Sequence, residues 1–124
     1  MRLLLDTHVV LWQLSGEREL SAAATQAITS ADDLLMSVVS YAEIGVKGAV
    51  GKLEVPADLE AQIAAAGVRQ LPLSPAHGLA VADLPVHHRD PFDRLIIAQA
   101  LIEQLTVVTA DQRFHDYGID IVSA

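Results

Sequence analysis

RLLLDTH, residues Arg2–His8, is the stretch that decides the fold. Side chains along a strand alternate between its two faces, so three consecutive leucines ask for apolar cover on both, as in a parallel sheet sandwiched between helices. Asp6 then stops the run. The arrangement recurs downstream: Leu34–Val39 lead to Ser40 and Glu43, Leu105–Thr109 run into Asp111, and Asp90-Pro91-Phe92-Asp93 opens a long apolar helix. Five short apolar segments read as strands, at Arg2–Leu5, Leu34–Val38, Val68–Leu71, Leu105–Thr109 and Ile119–Val122. Helical stretches fall between them, at Thr7–Leu14, Ser21–Ala31, Tyr41–Val50, Ala57–Ala66, Pro75–Leu84 and Pro91–Gln104, with a short one after Asp111. Strands alternating with helices imply right-handed crossovers and an α/β class: a three-layer α/β/α sandwich around a central, mostly parallel five-stranded sheet. Such sheets bind ligands outside the carboxyl ends of their strands. Asp6 and Asp111 sit at those ends.

The whole pattern fits in 124 residues, so residues 1–124 read as a single domain. The chain has no cysteine, which excludes a disulfide scaffold, a thiolate nucleophile and thiolate-bound zinc, and fits a reducing cytoplasm. Apolar residues make up 52% of it, yet Asp6 and His8 break the first apolar run too early for a signal peptide or a membrane helix. Eight basic against sixteen acidic residues give a net charge of −8, which counts against general nucleic-acid binding. The objection weakens if some of those acids hold a cation, because bound metal reverses the local field.

Each acid also has a capping explanation. Asp6 suits the N-cap of the helix from Thr7, Ser40-x-x-Glu43 has the spacing of a capping box, and Asp111 suits the start of its short helix. Asp90-Pro91-Phe92-Asp93 puts an acid at the N-cap, proline at N1 and an acid at N3. The two readings are compatible. Helices that follow parallel strands start on one rim, so their caps gather into one acidic pocket. Carboxylates that crowd together resist joint ionisation unless a cation joins them, and oxygen-only ligands suit Mg²⁺ or Mn²⁺. That chemistry points to a metal-dependent phosphodiesterase or phosphatase.

Four pieces of the sequence, LLLDTH (Leu3–His8), SYAEI (Ser40–Ile44), HRDPFDRLIIAQA (His88–Ala100) and TADQRF (Thr109–Phe114), resemble those of PIN-domain ribonucleases, above all the VapC-type toxins of bacterial toxin–antitoxin pairs. The likeness covers essentially the whole chain, with the motifs in the family's order. It implies a PIN fold, Mg²⁺- or Mn²⁺-dependent cleavage of RNA, a homodimer, and inhibition by a cognate VapB-type antitoxin whose arginine enters the acidic pocket. Carried over by residue, it implies a catalytic, metal-holding set of Asp6, Glu43, Asp93 and Asp111, with Asp90 as a fifth member found in part of the family. Thr7, Ser40 and Thr109 match the small polar residues beside the acids.

Among the remaining residues, Arg94, Arg89, Arg113 and Lys47 are candidates to touch RNA phosphates, against the plainer readings of surface solvation or, for Arg94, an ion pair with Asp90 four residues earlier. Trp12 reads first as packing, with base stacking as the alternative. His8 either packs or contacts substrate, His87 and His88 read as loop residues, and Asp32-Asp33 as a solvated turn. Two rival functions stand beside the nuclease. An aspartyl-phosphate enzyme of the haloacid-dehalogenase or receiver type would use Asp6, but such families carry a late lysine, and here nothing follows Lys47 and Lys52. A non-catalytic PIN binding module would have lost acids, and this chain keeps them all.

Overall fold

Leu3, Leu4 and Leu5 are wholly buried in the middle strand of a five-stranded sheet, covered on both faces as their spacing requires. The computed structural model describes residues Met1–Ala124. The strands are β1 (Arg2–Leu5), β2 (Asp33–Ser37), β3 (Arg69–Leu71), β4 (Thr106–Thr109) and β5 (Ile121–Ser123). The helices are α1 (Thr7–Ser15), α2 (Ala22–Ser30), α3 (Val38–Ala49), α4 (Leu59–Ala65), α5 (Pro75–Ala80) and α6 (Pro91–Glu103), with 3-10 turns at Val81–Asp83 and Gln112–Tyr117. Every strand pair is parallel, in the order β3-β2-β1-β4-β5. No helix is long and apolar enough to cross a membrane.

Alternation along the strands divides the core. Leu3, Leu5, Met36 and Val108 point to one face, against Val9 and Val10 of α1, Ala24 of α2, Ile44 of α3 and Leu59 and Ile63 of α4. Leu4, Leu35 and Val107 point to the other, against Ile96, Ile97 and Ala100 of α6 and against Phe114 and Tyr117. Each fully buried leucine of this kind contributes about 2 kcal/mol of transfer free energy, so the LLL run anchors both layers at once.

Strand order reverses beside β1, with β2 on one side and β4 on the other. A sheet of this kind opens a crevice at such a switch, at the carboxyl ends of its strands. Asp6 follows β1 there and Asp111 lies just beyond β4. The crevice is bordered by the N-terminal ends of α1, α3 and α6.

The expected boundary between β2 and α3 is corrected. The strand ends at Ser37, not Val38, and the helix begins at Val38 with Ser37 as its cap. The Ser37 hydroxyl accepts from the Val39 amide at 3.0 Å and donates to the Gln99 side-chain carbonyl of α6. This buried cap outweighs the strand preference of Val38-Val39. Ser40 and Glu43 therefore lie inside the helix, and the capping box expected of them does not form. Asp32-Asp33 is likewise no simple solvated turn: Asp33 opens β2 and accepts from Arg69 of β3, while Asp32 pairs with the N-terminal amine.

Candidate active site

Three of the expected caps are made. Asp6 Oδ1 accepts from the Thr7 amide at 2.8 Å, starting α1. Asp90 Oδ1 accepts from the amides of Phe92 (2.9 Å) and Asp93 (3.1 Å), with Pro91 at N1 of α6. Asp111 Oδ1 accepts from the Arg113 amide at 2.9 Å, starting the 3-10 turn. Because these elements leave the sheet on one rim, Asp6, Glu43, Asp90, Asp93 and Asp111 line a single cleft of about 300 Å³. His8, Trp12, Arg18, Lys47, Ala110 and Arg113 complete its wall.

Small hydroxyls fix the acids that lie deepest. Thr109 donates to Asp6 Oδ2 at 2.8 Å and accepts from the Asp111 amide at 3.0 Å, linking the ends of β1 and β4. The Thr7 hydroxyl lies 2.8 Å from Glu43 Oε1 and 2.7 Å from Ser40 Oγ. Having one proton, it donates to the carboxylate and accepts from Ser40. Ser40 thus steadies Glu43 through Thr7 without lining the cleft.

Asp6, Glu43 and Asp93 are 5%, 3% and 7% exposed, so ionising all three is costly. The cost shows in the proton affinities of Asp93 and Asp6. Burial first, then the charges of Asp6, Asp90, Glu43 and Asp111, push the Asp93 carboxyl up to about 8. Burial also raises Asp6, partly offset by its hydrogen bonds from Thr109 and the Thr7 amide. Two acids are paired with cations. Lys47, one turn along α3, reaches Glu43 Oε2 at 2.7 Å, and this hydrogen bond holds the lysine above its ordinary value. Arg113 reaches Asp111 Oδ2 at 2.7 Å and holds that carboxyl below the usual range. With these pairs in place, no three acidic or imidazole groups stand close enough together to share one cation directly.

The basic candidates separate. Lys47 and Arg113 line the cleft, whereas Arg89 is exposed without lining it and Arg94 faces elsewhere. Arg94 makes neither the ion pair with Asp90 nor the phosphate-facing position expected of it. Its guanidinium donates to the carbonyls of Pro85 (2.8 Å), Val81 (3.2 Å) and Leu84 (3.3 Å), clasping the loop before α6. Four residues of one helix turn bring Arg94 beside Asp90, but three carbonyls offer a planar five-donor group more than one half-exposed carboxylate.

Sequence reasoning passed over two features. Arg18 lies in the cleft, its guanidinium 4.3 Å from the centroid of Trp12. His88, read as a loop residue, is buried with Nδ1 2.9 Å from the Tyr117 hydroxyl and Nε2 3.4 Å from Asp93 Oδ2. Tyr117 Oη already accepts from the His88 amide and from Arg94, so its one proton goes to Nδ1. In the neutral ring the other proton then sits on Nε2, facing Asp93. Nε2 has no hydrogen-bond partner, and its proximity to Asp93 was unreadable without the 3-10 turn that supplies Tyr117.

Comparison with known proteins follows the same lines. The PIN-domain family model matches residues 3–120. The chain is 32% identical over 117 residues to ribonuclease VapC22 of Mycobacterium tuberculosis, covering 92% of this chain and 90% of that protein. Among solved structures, it is similar to VapBC2 from Rickettsia felis bound to a promoter DNA fragment, with a TM-score of 0.74 at 14% identity over 99% and 98% of the two chains. It is also similar to VapBC-5 from Mycobacterium tuberculosis, with a TM-score of 0.62 at 24% identity over 98% and 97%.

Proposed function

The chain belongs to the PIN-domain family, and from that premise we propose that it is a metal-dependent endoribonuclease serving as the toxin of a toxin–antitoxin pair. The observation that carries the reading is the cleft in which five carboxylates from four parts of the chain meet. Its donor chemistry fits a hard divalent cation. All five acids offer oxygen, and burial first, then the neighbouring carboxylates, raise Asp93 to about 8, a cost that a bound positive charge would relieve. Mg²⁺ keeps several waters and takes only one or two carboxylates directly. Asp6 and Asp93 would hold Mg²⁺ or Mn²⁺, with Glu43, Asp111 and Asp90 beside it, directly or through water.

A bound divalent ion supplies Lewis acidity and lowers the pKa of a coordinated water. The chain's own residues do the rest. Thr109 and the Thr7 amide hold the two Asp6 oxygens in place and offset part of the burial that raises its carboxyl. The Thr7 hydroxyl holds one Glu43 oxygen, leaving the other to Lys47. Lys47 and Arg113 put positive charge on the cleft wall, where an approaching phosphate gains charge-assisted hydrogen bonds. No serine or cysteine lines the cleft, which suits attack by water.

The name of the curated relative supports RNA as substrate, and the VapBC complexes among the structural neighbours support an antitoxin partner. Exposed apolar side chains, including Val46 of α3, Val50 just after it and Leu79 of α5, are consistent with surface covered by that partner or by a second copy. The test is cleavage of total cellular RNA in Mg²⁺, with end mapping. The reading expects 5′-phosphate and 3′-hydroxyl ends from the wild type, none from Asp93→Asn, and suppression by the antitoxin. Equal cleavage by a folded, contaminant-free Asp93→Asn would contradict it.

A further inference from the structure

The cleft has a second half that the carboxylates do not use. Asp6 caps α1, His8 lies in its first turn, and Trp12 lies one turn later on the same face, with ring centroids 5.8 Å apart. Trp12 is about 9 Å along the helix axis from Asp6, at 1.5 Å per residue. The neighbouring apolar residues Val9 and Val10 are fully buried in the core, whereas Trp12 is only half-buried and turns to the cleft. Gly16 then takes a left-handed conformation (φ 70°) and closes the helix, its amide donating to the Trp12 carbonyl. That turn brings Arg18 back over the indole at 4.3 Å, a stacking distance. The result is an aromatic floor, a mobile-length cation above it and an imidazole at its edge, opening into the same cleft as the acids.

We propose that Trp12, flanked by His8 and Arg18, is a binding site for one unpaired base of the RNA, next to the phosphate held at the acids. The proposal rests on the ribonuclease reading and adds to it a stacking site for one base. A nucleobase is flat like a guanidinium and takes the ring face that Arg18 covers. The released guanidinium then has an adjacent phosphate within reach. Stacking on an aromatic ring tolerates any base, because each has a π-face. This end of the cleft therefore selects for an unstacked strand rather than for a particular base. It also offsets the chain's net charge of −8, since affinity drawn from stacking does not depend on phosphate neutralisation.

Trp12 is the only tryptophan, so its emission reports the site directly. The wild type, loaded with Mg²⁺, is mixed with a short oligouridylate or with an abasic ribose-phosphate chain of the same length, and the emission is read at mixing. Oligouridylate is expected to quench Trp12, and the abasic chain to leave it unchanged. In cleavage assays Trp12→Ala is expected to raise KM about tenfold, equivalent to about 1.4 kcal/mol. Its kcat stays within about twofold, and Trp12→Phe keeps most of the wild-type KM. Equal quenching by both chains, no quenching by either, or a Trp12→Ala KM within about twofold of wild type at comparable fold stability would overturn the base site. Asp93→Asn, assayed alongside, separates the two ideas. Undiminished cleavage there strikes the nuclease assignment, whereas the quench ratio judges the base site alone.

Discussion

Replacing Asp93 by asparagine is expected to stabilise the metal-free protein near neutral pH, although the residue is central to the proposed chemistry. In the fold its carboxyl is raised from 3.8 to about 8. Burial is the first cause and the surrounding carboxylates the second. A raised carboxyl pKa means that the folded state holds a proton the unfolded chain has released. This contribution to stability is fully present below about pH 4 and is lost as pH climbs toward 8. The slope is about 1.4 kcal/mol per pH unit for one proton, which gives about 4 kcal/mol between pH 4 and 7. Asp6 is raised as well, chiefly by burial, and its charge is one of those that raise Asp93. We therefore set the gain from Asp93→Asn at about 2–4 kcal/mol at pH 7, or roughly 8–16 °C in Tm. Asp33 and Asp111, held low by Arg69 and Arg113, act in the opposite sense, and their contribution is lost only as pH falls below about 4. The two windows do not overlap. The assay is denaturant unfolding in EDTA from pH 4 to 8.5, repeated with Mg²⁺. The gap between variant and wild type is expected to open as pH rises and to shrink when Mg²⁺ is added. Parallel profiles, or a variant less stable than wild type at pH 7, would refute the crowding argument.

Two further outcomes follow from the hydrogen bonds around the cleft. Thr109→Val removes the hydroxyl that donates to Asp6 Oδ2 at 2.8 Å, a charge-assisted bond of about 1.5–3 kcal/mol. The Mg²⁺ concentration for half-maximal cleavage should rise at least about tenfold, and an unchanged Mg²⁺ requirement would contradict the role given to Thr109. The Tyr117 hydroxyl sets the His88 tautomer, so nitrogen NMR of the wild type should find the proton of the neutral ring on Nε2. Tyr117→Phe should mix the tautomers and cost about 1 kcal/mol of stability. A proton on Nδ1 in the wild type would undo the assignment.

Much of the architecture was readable because the core residues announce their neighbours. Leu3–Leu5 require cover on two faces, and Val107-Val108 require the same, so the parallel sheet and its sandwich follow from alternation alone. The capping acids were readable for a related reason. Asp6, Asp90 and Asp111 obey local helix-start chemistry, and topology then gathers them on one rim. What escaped depends on contacts between distant segments. The strand ends at Ser37 because Gln99, sixty-two residues later, meets its hydroxyl. Arg94 turns away from the cleft because the loop of Val81–Pro85 presents carbonyls to it. Arg18 enters the cleft only through the turn at Gly16, and no local pattern marks it. The Glu43–Lys47 pair is a local signal, a spacing of four on one helix face, that the reading of Lys47 as a phosphate contact or solvated residue passed over.

The shared-cation claim is tested most directly by Mn²⁺ binding, followed through the loss of the free-ion signal in electron paramagnetic resonance. Wild-type protein at neutral pH should take up one or two equivalents of Mn²⁺, Mg²⁺ should compete for them, and Asp6→Asn and Asp93→Asn should each abolish tight uptake. Wild-type protein that leaves the free-ion signal untouched, or variants that bind Mn²⁺ as the wild type does, would contradict the account.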